Sequence, residues 1–138
     1  MKVGALHHLA IAVPSIAAAL PFYTATLGMR AGVPHDLPGQ AVRAVFVESE
    51  GSRLELIEPT EPSSGVARFL AERGRPTLHH VCYAVRDLDA ALAELAGSGV
   101  ELVDRSPRPG LDGRVAFLHP RASGGVLIEL IESAYSTR

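Results

Sequence analysis

Two histidines and two glutamates stand out because each sits where burial is costly, and because each recurs about half a chain length later. His8 and His80 head the apolar runs Leu6-His7-His8-Leu9-Ala10-Ile11-Ala12-Val13 and Leu78-His79-His80-Val81-Cys82-Tyr83-Ala84-Val85. Glu55 and Glu129 lie within Leu54-Glu55-Leu56-Ile57-Glu58 and Ile128-Glu129-Leu130-Ile131-Glu132, at nearly the same spacing as the histidines. A carboxylate inside an apolar strand is expensive to bury unless it is paired or bound to a cation. Two imidazoles and two carboxylates form the mixed N/O donor set of a divalent transition metal, and they leave two positions open on an octahedral ion for a bidentate substrate. Taken singly, a strand histidine is more often a hydrogen-bonded core residue and a strand glutamate more often an edge residue. The joint recurrence is what favours a metal site.

Alternation separates these residues from their neighbours. His7 and His79 point to the opposite face and are read as structural or exposed. His35 stands between Pro34 and Asp36, in what reads as a polar, solvated loop. Cys82 shares the face of His80 but lacks a Cys-X-X-Cys context, so it is read as a small buried hydrophobe.

Positioning four such residues requires two copies of one module. Val45-Phe46 is echoed by Ala116-Phe117, again between the histidine and glutamate blocks. Order is preserved and the spacing barely drifts from one matched pair to the next, as expected of an internal duplication. Each module reads as strand, helix, then three strands. Ser15 caps a helix with Ile16, Ala19, Leu20 and Tyr23 on its apolar face, closed by Gly28 and disturbed at Pro21, where a kink or a new turn is expected. Asp87 caps the second helix, with Leu88, Ala91, Leu92 and Leu95 inward and Gly97 or Gly99 at its end. Strands are expected at 29–34, 41–48 and 53–58, then at 100–104, 113–118 and 125–132. The fold class is therefore α+β: two tandem βαβββ modules forming a curved eight-stranded mixed sheet. A single domain over 1–138 is expected, with modules at 5–59 and 77–133 and a linker at 60–76 carrying a short helix from Val66 to Arg73.

Composition narrows the class of function. The chain has 138 residues, is 47% hydrophobic and 20% charged, and carries a net charge of −2, so it folds around a sizeable core and offers no basic surface to nucleic acid. No apolar run approaches the ~20 residues of a membrane span. The opening residues lack the apolar stretch of a signal peptide, so a soluble cytoplasmic protein is expected. A single cysteine excludes an internal disulfide.

The repeat, with histidine at each module start and glutamate on each last strand, resembles the vicinal-oxygen-chelate (glyoxalase-like) superfamily over about residues 5 to 132. Within it, the opening His8-Leu9-Ala10-Ile11-Ala12-Val13-Pro14 and the more specific Leu118-His119-Pro120-Arg121 with Gly124-Gly125-Val126-Leu127-Ile128-Glu129-Leu130 are similar to the methylmalonyl-CoA epimerases. The resemblance implies a metal held by His8, Glu55, His80 and Glu129, with Co²⁺, Mn²⁺, Ni²⁺ and Zn²⁺ all open. It implies an acyl-CoA thioester substrate epimerised through a metal-stabilised enolate, and a homodimer. Glu129 is the expected proton-transfer group, and Arg121, where the family usually carries lysine, either meets a CoA phosphate or is simply solvated. His119 is a second proton-transfer candidate, because alternation through Val115 and Phe117 points it inward. A purely structural role for His119, fixing the turn at Pro120, is at least as favoured, and a metal-bound water is the other candidate for that second transfer. One departure is Ala44, which stands where some relatives carry a glutamate proposed as a base. Rival readings are a glyoxalase I-type lactoylglutathione lyase, more weakly an extradiol dioxygenase, and a non-catalytic small-molecule-binding module of the same fold.

Overall fold

The computed structural model describes residues 1–133, so residues 134–138 of the expected domain lie outside the described residues. The chain divides into two compact units, one of His8–His79 and one of Met1–His7 with the segment from His80 onward.

In the His8–His79 unit the strands run in the order β2-β4-β5-β1, from Arg30–Ala31, Val42–Ser49, Ser52–Pro59 and Leu6–Ala12, with β3 (His35–Leu37) also on β4. β1 lies parallel to β5, Ala10 beside Glu55, and β4 lies antiparallel to β5, Phe46 opposite Glu55. Helix α1 (Ile16–Pro21) packs through Ile16 on Val13, Val45, Val47 and Leu56, with Ala19, Leu20 and Tyr23 joining, as the sequence pattern expects. Pro21 ends the regular helix, and the chain continues as a wider π-helical turn over Phe22–Thr26. Proline has no N–H to donate to the preceding turn, so the disturbance expected there takes this form. Helix α2 (Gly65–Arg73) starts at Ser64, whose hydroxyl accepts the Ala67 N–H at 3.1 Å.

In the second unit the order is β6-β9-β8-β7, from Thr77–Val85, Ile128–Glu132, Gly113–Leu118 and Arg108–Gly110. β6 is parallel to β9, with Cys82 beside Glu129, and β8 is antiparallel to β9, with Phe117 opposite Glu129. Helix α3 (Leu88–Gly97) buries Leu88, Ala91 and Leu92 against Val85, Ala116 and Leu130.

Several expected boundaries are corrected. The strand expected at 29–34 shortens to β2, and the short strands β3 and β7 fall outside every expected range, so His35 lies on β3 rather than in a loop, though exposed. The strand expected at 100–104 reduces to one bridge, Leu102 to Leu118. There the N–H groups of Val103 and Asp104 both reach the Phe117 carbonyl, while the Asp104 side chain accepts the Phe117 N–H at 2.8 Å. Two residues thus oppose one, as in a bulge, and a side chain replaces the ladder. The last strand starts at Ile128 rather than 125, because Gly124 and Gly125 have positive φ and Ser123 holds the turn through Val126.

The repeated Glu-Leu-Ile-Glu segments acquire a division of labour. Residues three apart on a strand face opposite ways, so Glu55 and Glu129 point away from the helices while Glu58 and Glu132 point toward them. Glu58 accepts the Ile16 N–H at 2.6 Å and Glu132 the Leu88 N–H at 3.0 Å, each at the first turn of a helix. Ser15 and Asp87 supply second caps, to Ala18 and Ala90. Arg114 joins Glu132 at 2.9 Å and Asp89 at 2.8 Å. The Arg114 hydrogen bonds, then the Leu88 N–H, hold the Glu132 carboxyl below the usual range. A depressed folded value contributes stability that is present above the unfolded value, about 4.3, and is lost as pH falls through the folded one. Glu132→Gln is therefore expected to lower Tm at neutral pH and to flatten the acid limb of a Tm–pH curve. A variant with the wild-type acid limb contradicts this.

Candidate metal centre

Each unit contains one buried histidine facing one buried glutamate. In the first, His8 Nε2 lies 3.5 Å from Glu55 Oε1, with the residues 3% and 6% exposed. In the second, His80 Nε2 lies 3.2 Å from Glu129 Oε1, both 4% exposed. Strand register produces both pairs. His8 lies two residues before Ala10, the partner of Glu55, and His80 two before Cys82, the partner of Glu129. Parallel pairing puts each histidine on the face its glutamate occupies.

The floor around each pair is small and apolar. Ala10, Ala12, Ala44 and Ile57 are buried on or beside the first pair's face, and Cys82, Ala84, Val115 and Ile131 form one buried cluster in the second. Cys82 thus takes the packing role expected of it. These buried apolar side chains lower the local polarity, which strengthens any charge interaction there.

The two pairs fit a divalent ion. Ligand atoms at roughly 2.0–2.2 Å from one ion, with tetrahedral or octahedral angles, sit about 3.0–3.5 Å from one another. The observed separations of 3.5 and 3.2 Å match that spacing. Imidazole and carboxylate are also the donors such an ion accepts.

The neighbouring histidines face elsewhere, as alternation requires. His7 Nε2 lies 3.0 Å from Asp112 Oδ2 in the β7–β8 turn, and the His79 ring meets Phe69 of α2 edge-on at 4.7 Å. His119 caps the 3₁₀ turn Pro120–Ser123, and its Nδ1 accepts the Arg121 N–H at 3.1 Å. That bond puts the neutral ring's proton on Nε2, which lies 3.6 Å from Glu101. Arg121 makes a two-pronged ion pair with Glu101, at 3.1 and 2.7 Å, which pulls the Glu101 carboxyl below its usual range. Ala44 is fully buried two residues before Phe46, and its register partner on β5 is Ile57.

Sequence reasoning missed the aromatic neighbours of the pairs. The Phe46 ring meets His8 at 5.4 Å and the Phe117 ring meets His80 at 5.2 Å, both steeply inclined. Their echo marked the duplication, and a role for them was legible in the same echo.

The chain matches the family model described as Glyoxalase/Bleomycin resistance protein/Dioxygenase superfamily over residues 7–117. It is 38% identical over 130 residues to an ethylmalonyl-CoA/methylmalonyl-CoA epimerase of Cereibacter sphaeroides, covering 93% of this chain and 97% of the relative. A crystal structure of methylmalonyl-CoA epimerase from Mycobacterium tuberculosis superposes with a TM-score of 0.89 at 36% identity, over 96% of this chain and 89% of that one. A methylmalonyl-CoA epimerase in complex with methylmalonyl-CoA and NH4+ superposes at 0.87, with 34% identity and 98% of each chain covered. These likenesses bear out the expected fold class.

Removing one oxygen donor, as in Glu55→Ala, is expected to diminish the stabilisation that added divalent metal gives the protein. Thermal melts with and without metal check this, and a wild-type rise in the variant's Tm on adding metal contradicts the reading.

Proposed function

The chain belongs to the Glyoxalase/Bleomycin resistance protein/Dioxygenase superfamily and, within it, to the methylmalonyl-CoA epimerases, and from that premise we propose that it interconverts (R)- and (S)-methylmalonyl-CoA with one divalent ion held by His8, Glu55, His80 and Glu129. It is an isomerase, as its named relatives are. The observation that carries the metal assignment is the occurrence, in each unit, of a buried imidazole and carboxylate at the spacing of two ligands on one ion. The residues come from equivalent points of a repeat, so one site shared by the two modules completes a His₂Glu₂ set. One domain over 1–138 follows, with modules at 5–59 and 77–133 joined by 60–76.

A bound divalent ion supplies positive charge beside the thioester oxygen, where negative charge grows as the α-proton leaves. The chain's own residues then divide the work. His8, His80 and Glu55 hold and orient. Glu129 holds as well, and its carboxylate accepts the α-proton on one face of the substrate. On the other face the Ala44 methyl offers no base, so a symmetrical pair of glutamates is not available. His119 is assigned that second proton transfer, which requires it to release the Arg121 N–H. Arg121 meets a CoA phosphate by exchanging its Glu101 partner for one of the same charge sign. A homodimer completes the reading. Among the described residues no helix is long and apolar enough to cross a membrane. The Cereibacter sphaeroides relative's name covers both ethylmalonyl-CoA and methylmalonyl-CoA, which supports a 2-alkylmalonyl thioester as the substrate class.

Deuterium wash-in at the α-carbon of methylmalonyl-CoA tests this directly. Exchange is expected with metal-loaded protein and lost with chelator or in His80→Ala, while His79→Ala retains both metal and exchange. Glu129→Gln should keep much of its metal but exchange ~10²–10⁴-fold more slowly, the usual worth of general acid–base catalysis. Full exchange in the presence of chelator, or equal metal retention by the two histidine variants, would refute the assignment.

A further inference from the structure

Each buried pair has a further layer behind it. In the first unit the Arg53 guanidinium lies over the Phe46 ring, 5.0 Å from its centre, and the same ring meets His8. In the second, Arg108 lies over Phe117 at 5.3 Å, and that ring meets His80. Register puts each stack on the site's face. Phe46 is opposite Glu55 and Arg53 is two residues before it, while Phe117 is opposite Glu129 and Arg108 is opposite Val115, two residues from Phe117.

Duplication explains the two phenylalanines but not the two arginines. The position equivalent to Arg53 in the second module, two before Glu129, is Leu127, and Arg108 comes instead from the edge strand β7. The same arrangement is thus reached from two unrelated points of the module.

We propose that Arg53 and Arg108 are positioning residues for the metal-ligating histidines, acting through Phe46 and Phe117; this rests on the metal site proposed above. A cation over a ring face is attracted by the ring's quadrupole and holds the ring in place. Each guanidinium is itself anchored, Arg53 Nε to Glu48 at 3.5 Å and Arg108 Nε to Asp104 at 3.2 Å. Asp104 additionally accepts the Phe117 N–H, so one carboxylate fixes both the backbone of the ring's residue and the cation above it. A fixed ring leaves the inclined imidazole less room to turn about its own axis, and a ligand held in its bound orientation loses less entropy when metal arrives.

A competing effect has the opposite sign. A bare guanidinium near the site repels a dication, and its removal alone would tighten binding. Because each arginine is paired with an acid, that repulsion is largely offset, and the ordering effect decides. The direction of change is therefore diagnostic.

Cobalt(II) titration of the full chain, followed by visible absorption, tests the proposal without relying on activity. Arg108→Met, which preserves length and bulk, is expected to bind Co²⁺ about tenfold more weakly, within the usual range for residues that orient metal ligands. It should also show a displaced visible band, and Arg108→Lys should recover most of the affinity. Arg53→Met gives an independent test in the other unit should the first variant fold poorly. Wild-type affinity and spectrum in the Met variants, or tighter binding, would overturn the positioning role and leave the metal site standing. Failure of the wild-type chain to bind Co²⁺ would overturn the metal site, and the positioning role with it.

Discussion

A carboxylate set against an imidazole in a dry, apolar strand environment is the constraint on which the rest of this structure depends. Neither Glu55 nor Glu129 gains stability from being buried, and hydrophobic replacements of such pairs are often more stable. The sequence nevertheless places the arrangement in both modules and surrounds it with alanine, cysteine and isoleucine, whose buried apolar side chains lower the local polarity. Burial is tolerable because the imidazole faces the carboxylate, and useful because the same donors suit a divalent ion.

Much of the remaining structure keeps that pairing in register. A one-residue slip of β5 or β9 would turn each site glutamate toward the helix and each helix-capping glutamate toward the site. Glu58 and Glu132 oppose such a slip by bonding to the first N–H groups of α1 and α3. The helices thereby lock the strands that carry the site, while Val45, Val47 and Leu56, or Ala116 and Leu130, pack against them from the same side. One five-residue segment thus carries the buried glutamate on one face and the helix cap on the other.

The repeat makes most of this legible before any coordinates. His8, Glu55, His80 and Glu129 can be singled out because each breaks an apolar pattern at a duplicated position, and alternation alone separates His7 and His79 from these four buried residues. Helix caps at Ser15 and Asp87 and the disturbance at Pro21 follow from local chemistry. The segment 100–104 misleads because its apolar pattern is that of a strand, whereas its pairing is decided by the Asp104 side chain, a long-range contact with Phe117 that no local pattern reveals. His119 lies one step past the end of β8 at Leu118, and its ring also caps the proline-led turn there, a second role that the alternation does not reveal. The arginine–phenylalanine stacks are hidden for the opposite reason. Arg53 and Arg108 occupy unrelated repeat positions, so a search for duplicated residues passes over them.

Under the proposed function the two buried histidine–glutamate pairs together hold a single ion. Metal stoichiometry tests it most directly, by titrating divalent ion into metal-free wild-type chain and into His8→Ala and His80→Ala. The account predicts one equivalent per chain for wild type and loss of tight binding in either single variant, since each removes a ligand of the same site. Two equivalents per wild-type chain, with one retained in each variant, would mean that each module binds an ion of its own and would contradict it.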